Sequence, residues 1–176
     1  MKRPTEKELR NFIETLFEGA GKKLSESELG KIKIEFFENG ETHNPANFTN
    51  IKGNCACYMF YYEEEKSFLK IGKVTSTNST RYKSYHYQIK PSISSLAKSL
   101  SESDKYGLKE KCEKTIGDWI KDNCTRINIL IPEDIAIKWS GAEEGTQPAA
   151  YENFFLNLLE AGLHFKYKPV FEGRCK

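Results

Sequence analysis

Residues 55–87 read CACYMFYYEEEKSFLKIGKVTSTNSTRYKSYHY, and the fold turns on how this stretch divides. Ala56 to Tyr62 is rich in aromatics, and Phe68 to Val74 sets Leu69 and Ile71 at alternate positions, the pattern of half-buried strands. Glu63-Glu64-Glu65 between them forms a charged tip. Two β-rich runs with a short polar link predict an antiparallel hairpin, although no Asn-Gly or Gly favours a tight turn there. Gly72, near the end of the second run, marks either a bulge or a place where another group approaches the backbone closely. A Ser/Thr/Asn loop follows, and then a helix start carrying Arg81, Lys83, Tyr85 and His86.

From Lys66 to Ser101 the chain holds no Asp or Glu, whereas Lys66, Lys70, Lys73, Arg81, Lys83, Lys90 and Lys98 all lie within it. A net charge of +2 for the whole chain conceals this segregation. Basic groups interleaved with Tyr82, Tyr85, His86 and Tyr87 suit a surface that neutralises phosphates and stacks rings on sugars or bases. The plainer alternative is a solvated basic face with ordinary tyrosine anchors.

These residues carry a family resemblance. Ala56-Cys57-Tyr58, then Lys70-Ile71-Gly72-Lys73, then Arg81 with Tyr85 four residues on, resembles the two signature tripeptides and the arginine of the GIY-YIG nucleases. Leu158-Leu159-Glu160-Ala161, followed by Tyr167-Lys168-Pro169-Val170-Phe171-Glu172-Gly173, is similar to the segment holding that family's metal-binding glutamate and closing turn. The resemblance runs from about Asn54 to Arg174, with its middle matching in outline only. Ala56 stands where the first Gly of the signature would be, Lys70 where the second Tyr would be, and Glu172 where many members have Asn.

The resemblance implies an α+β fold, a small three-stranded antiparallel sheet flanked by helices, and hydrolysis of phosphodiester bonds with Mg²⁺ or Mn²⁺. It also implies the roles. Tyr58 activates or positions the water, with Lys73 as a nearby cation favouring its phenolate. Arg81 grips phosphate oxygens in a planar fork. Tyr85, or His86 in its place, assists the nucleophile. Glu160 ligates the metal, an ion that commonly needs only one or two protein carboxylates. On the residues alone, Glu160 leaves a partly apolar face one turn from Leu156 and Leu163, where a cation would offset its charge. Glu152 is the other candidate on that helix, at an end where the dipole already favours an acid. Lys70, Lys83, Lys90 and Lys98 are the candidate nucleic-acid contacts. DNA is the expected partner, RNA is an open alternative, and a homodimer would serve double-strand cleavage.

A chain of 176 residues can bury about two-thirds of its unfolded surface, enough for one core. We divide it into an N-terminal helical extension, 1–48, and a nuclease-like domain, 49–176. No apolar run approaches a membrane span and Met1-Lys2-Arg3-Pro4 opens no signal-peptide core, so a soluble cytoplasmic protein without membrane partners is expected. Five irregularly spaced cysteines argue against a disulfide framework. Cys55 and Cys57 lack a second close pair for zinc, so alternate strand positions explain them.

Elsewhere, periodicity predicts a helix over Thr5 to Phe17 and another from a Ser25/Glu28 capping box to Asn39-Gly40, carrying Leu29, Ile32, Phe36 and Phe37. A short helix with Pro91 in its first turn, one bearing Leu108, Cys112, Ile116 and Trp119, a third strand over Thr125 to Ile131, and a helix from Pro148 toward Gly162 complete the reading. Ser140 to Pro148 reads as loop. A binding module without catalysis, or an interaction protein whose basic span is coincidental, are the competing readings of function.

Overall fold

The hairpin forms, at the centre and edge of a sheet with one strand more than expected. The computed structural model describes residues 1–76, 78–89, 94–139 and 148–171; the side chains of 79, 137–139 and 148–153 are outside the description. β2 (Asn54–Tyr62) pairs antiparallel with β3 (Ser67–Val74), and on its other side with β4 (Cys124–Pro132). β4 in turn pairs with β1 (Lys33–Phe37), giving the order β1-β4-β2-β3.

β1 corrects both the three-stranded expectation and the helix from Ser25 to Asn39. The capping box holds: Ser25 and Glu28 cap each other reciprocally at the start of α2 (Glu26–Lys31). That helix stops after six residues, and Ile34, Glu35, Phe36 and Phe37 pair with Ile129, Asn128, Ile127 and Arg126. Leu29, Ile32 and Phe36 fit a helical period, but a β-branched and aromatic run beside an unpaired strand gains a ladder of backbone bonds by extending. The extension 1–48 is therefore not wholly helical, since it supplies this edge strand.

β2 is buried on both faces, which is why it reads as a continuous apolar run. Cys55, Cys57, Met59 and Tyr61 join Ile127, Ile129 and Ile131 on one face. There they meet α1 (Glu6–Gly19) and α7 (Pro148–Tyr167), with Phe17 stacked on Phe155 at 4.1 Å between ring centroids. Each such fully buried side chain contributes on the order of 2 kcal/mol. Ala56, Tyr58, Phe60 and Tyr62 point the other way, toward α4 (Leu96–Ser101), α5 (Glu113–Asn123) and a 3-10 turn, Tyr85–Tyr87. α3 (Ser79–Lys83) precedes that turn, and α6 (Glu133–Trp139), which periodicity did not reveal, follows β4.

Other boundaries move for local reasons. α4 starts at Leu96 because the Ser95 hydroxyl caps the Lys98 N–H, so Pro91, itself outside the described residues, is not in its first turn. Cys112 is the N-cap of α5, and Leu108 lies before the helix. α7 runs five residues past Gly162, whose missing Cβ makes room for α1: an added Cβ would lie 2.8 Å from a Leu16 methyl. The loop expected at 140–147 and the closing Glu172-Gly173 are outside the described residues. After α7, the Val170 and Phe171 N–H groups bond the Phe68 and Leu69 carbonyls. That covers the start of β3, and among the described residues no further strand pairs with that edge beyond Leu69.

Candidate active site

Strand alternation places Tyr58 and Gly72 directly opposite each other, and the tyrosine ring lies over the glycine. A Cβ on Gly72 would stand 2.6 Å from the Tyr58 hydroxyl oxygen, so the glycine serves close approach, and the bulge of this hairpin sits instead between Phe60 and Tyr61. Over that gap the Tyr58 hydroxyl reaches a cleft of ≈ 420 Å³ lined by Lys70, Lys73, Arg81, His86, Asn157 and Glu160, among others. A smaller adjoining hollow shares Lys73, Arg81 and Glu160. A larger cavity of ≈ 510 Å³ at the N-terminus is floored by the Arg3, Glu38 and Glu63 ion pairs, and lacks comparable convergence of reactive groups.

His86 hydrogen-bonds the Tyr58 hydroxyl. Its Nε2 lies 2.6 Å from the Tyr58 hydroxyl, and its Nδ1 accepts the Leu96 backbone N–H at 3.2 Å. An acceptor at Nδ1 leaves the proton of the neutral ring on Nε2, so His86 donates to the Tyr58 oxygen. Burial, with the charges of Arg126, Lys70 and Arg81, pushes the imidazole pKa well below 6.5, which keeps the ring neutral. Burial also raises the Tyr58 phenol above 10, while the Arg81 and Arg126 guanidinium groups pull it back down.

Lys73 belongs to the other face of β3 and reaches α7, where its ammonium meets Glu160 Oε2 at 2.6 Å and the Asn157 amide oxygen. The cations that act on Tyr58 are thus Arg81 and Arg126, and the expected effect of Lys73 on the phenol gives way to a tie with Glu160. Lys70 is 4% exposed and donates to the Ser94 hydroxyl at 2.9 Å. Burial, aided by Arg81, lowers its pKa below 10.5.

Arg81 is exposed at the mouth of the cleft, on a five-residue helix whose Asn78 cap accepts the Arg81 N–H. Because α3 ends at Lys83 and the chain tightens into the 3-10 turn, Tyr85 does not sit one α-turn above Arg81. It is half-buried and does not line the cleft, whereas His86 does. Lys83 is half-buried on α3, and Lys98 on α4, 3.9 Å from Glu102, is not among the residues lining the cleft. Lys90 is outside the described residues, as is the side chain of Glu152.

Asn157, Ser94 and His164 also line the cleft without having been singled out. Asn157, Glu160 and His164 recur at helical spacing, a signal for one face of α7 that the sequence did contain. Among the described residues no group of three or more His, Cys, Asp or Glu side chains could hold a metal ion. The donors available to Mg²⁺ are the Glu160 carboxylate and the Asn157 amide oxygen. Both are hard oxygens on one helix face, both already turned to a cation, and they fit an ion that keeps most of its waters. The Lys73–Glu160 pair is about a quarter exposed on each side, and such pairs hold at about 1 kcal/mol, a tie that a divalent charge can replace.

Comparison of the chain with known protein families, with curated proteins and with solved structures returns no match. No helix among the described residues is long and apolar enough to cross a membrane.

Proposed function

We propose that this protein is a metal-dependent endonuclease of GIY-YIG type that hydrolyses phosphodiester bonds of DNA. The observation that carries the reading is the meeting of Tyr58, Arg81 and Glu160 in one cleft, although 102 residues separate the first from the last. Lys70 and Lys73 add positive charge to its walls, and a phosphodiester is the anion such a cleft suits. Residues 49–176 would form the nuclease unit, and 1–48 an extension contributing α1, α2 and the edge strand β1.

Hydrolysis needs a proton taken from water, positive charge on the phosphoryl oxygens, and relief of charge on the leaving sugar oxygen. The ionised Tyr58 oxygen takes the water proton as the water oxygen bonds to phosphorus, and the His86 Nε2–H holds that oxygen in place. Arg81 grips two phosphoryl oxygens with its fork. Glu160 and Asn157 would hold Mg²⁺ or Mn²⁺, which would supply Lewis acidity toward the leaving oxygen. The phosphorus–oxygen bond to the leaving sugar breaks, and that oxygen gains a proton from solvent. RNA is the alternative substrate, the cytoplasm the expected location, and a homodimer the expected means of cutting both strands.

A second reading is a nucleic-acid-binding module of the same ancestry without catalysis. Its support is specific: the phenol is pushed up by burial and Glu160 is already neutralised by Lys73. Supercoiled plasmid incubated with Mg²⁺ or Mn²⁺ distinguishes the two. Conversion to nicked or linear DNA supports the enzyme, and binding without conversion supports the module.

A further inference from the structure

Among the described residues Arg126 is the largest fully buried side chain, at 0% exposure, and it forms no ion pair with any carboxylate there. Its Nε donates to Asn128 Oδ1 at 2.8 Å, one terminal nitrogen to the Tyr82 carbonyl at 2.6 Å, and the other to the Tyr87 hydroxyl at 3.3 Å. Four rings complete the cage, with the guanidinium carbon 4.2 Å from the Phe48 centroid, 5.0 Å from Tyr82, 5.2 Å from Tyr58 and 5.3 Å from Phe60. A charge removed from water without a countercharge is costly, and an apolar side chain of similar volume commonly does as well or better for stability. Retaining the cation here therefore calls for a reason other than packing.

Two of its contacts lead to the cleft. The Tyr82 carbonyl belongs to the residue after Arg81, so Arg126 pins α3 from within the core while Asn78 holds the Arg81 N–H from outside. The Tyr58 ring lies against the guanidinium, and a phenolate ring attracts a cation more strongly than a phenol ring does. We infer that Arg126 is a positioning residue of the cleavage site, fixing the backbone that carries Arg81 and supplying a permanent positive charge behind the Tyr58 ring. This rests on the nuclease reading. The lowering effect of the Arg126 charge on the Tyr58 phenol and on His86 agrees with it. Tyr87 passes the network on, its hydroxyl donating to His43 Nε2 at 2.6 Å while His43 Nδ1–H donates to the Cys124 carbonyl, so no member competes for the Arg126 charge.

The test uses the full chain, supercoiled plasmid and Mn²⁺, with single-turnover rates for the native protein, Arg126→Met and Arg126→Lys. DNA affinity without metal and thermal midpoints are measured alongside. Arg126→Met is expected to stay folded, to bind DNA within about threefold of native, and to cut about 100-fold more slowly. Arg126→Lys, which keeps the charge and loses the fork, should recover about a tenth of the native rate with affinity unchanged. A folded Arg126→Met that cuts at the native rate overturns the inference. If Arg126→Met does not fold, Arg126→Lys decides: a native rate, or a loss matched by lost affinity, overturns the inference, and a slower rate at native affinity upholds it. A native chain that cuts nothing sinks the nuclease reading and this inference together, whereas native cutting with an indifferent Arg126→Met sinks the inference alone.

Discussion

His86 donates its Nε2 proton to the Tyr58 hydroxyl oxygen across 2.6 Å, and the Leu96 N–H on Nδ1 fixes that direction. The proton of the Tyr58 hydroxyl therefore has to be given elsewhere, and the open side of that oxygen is the cleft. A phenol raised above 10 by burial ionises late, so on the proposed mechanism the base is scarce near neutrality.

The cleavage rate should accordingly rise with pH, about tenfold per unit from about pH 7 to about pH 9, because the ionised fraction of Tyr58 grows that way. Single-turnover rates at saturating DNA measure it. A rate that does not change between about pH 7 and about pH 9 would instead exclude Tyr58 as the base. His86→Leu should slow cutting and lower stability by about 2 kcal/mol, since the Tyr58 oxygen and the Leu96 N–H both lose a partner.

Gly72→Ala should displace the Tyr58 ring. The added Cβ would fall 2.6–2.8 Å from the hydroxyl and two ring carbons, a conflict with a rigid side chain. Overpacking of this kind costs about 1–3 kcal/mol, measurable by urea denaturation, and cleavage should fall well beyond what the lost stability explains. Tyr58→Phe should fold and bind DNA but cut slowly. If Tyr58→Phe cuts at the native rate, its hydroxyl is not part of the chemistry.

Acid should destabilise the protein through its buried histidines. His43 is held neutral by burial, its pKa lowered from 6.5 to about 4, with Arg126 and Lys121 adding to the effect against the Cys124 carbonyl. Between those values the unfolded chain binds more protons than the folded one, so stability is whole above 6.5 and falls as the pH drops toward 4. The loss from His43 is about 3 kcal/mol, and His86 adds to it in the same direction. Urea midpoints at pH 7 and pH 4.5 test this, and His43→Gln should flatten the dependence. Equal midpoints in the native protein would contradict the neutral state of His43.

Affinity for DNA should fall with salt, and neutralising Lys83 and Lys90 together should weaken binding and reduce the slope of log K against log salt by about 2. Lys7, exposed on α1, is the control and should leave affinity unchanged. Arg10 is unsuited to that purpose, because it pairs with Glu6 and donates to the Leu29 carbonyl, tying α1 to α2. Binding indifferent to salt would remove the phosphate-contact reading.

The hairpin, β4 and α7 were legible because each repeats one signal along its whole length: aromatic runs, alternating isoleucines, apolar residues at helical spacing. β1 was not, because Ile32 to Phe37 satisfies both periods and the unpaired edge of β4 decided between them. Within the site, motif order points to Tyr58, Arg81, Glu160, Lys70 and Lys73, and it ranks His86 only as a substitute for Tyr85. The end of α3 at Lys83 reverses their ranks, a boundary of two residues that sequence periodicity does not resolve. Arg126 went unnoticed because Arg126 and Asn128 between Thr125 and Ile131 look like the solvent face of a strand. Packing under Phe48, Tyr82 of α3 and Tyr87 of the 3-10 turn makes that face interior.

If Tyr58, Arg81 and Glu160 form one hydrolytic site, conversion of supercoiled plasmid with Mg²⁺ or Mn²⁺ must depend on them. The native chain, Arg81→Ala, Glu160→Gln and Glu152→Gln are compared at equal, verified fold. The account predicts that the native chain and Glu152→Gln nick or linearise the plasmid, while Arg81→Ala and Glu160→Gln are each slower by about three orders of magnitude or more. Without metal, Glu160→Gln should bind DNA as well as native or better, having lost a negative charge beside the phosphate, and Arg81→Ala modestly less well. Cutting that survives Glu160→Gln but is lost in Glu152→Gln would move the metal to the other end of α7, and cutting indifferent to both Arg81→Ala and Glu160→Gln would contradict the site itself.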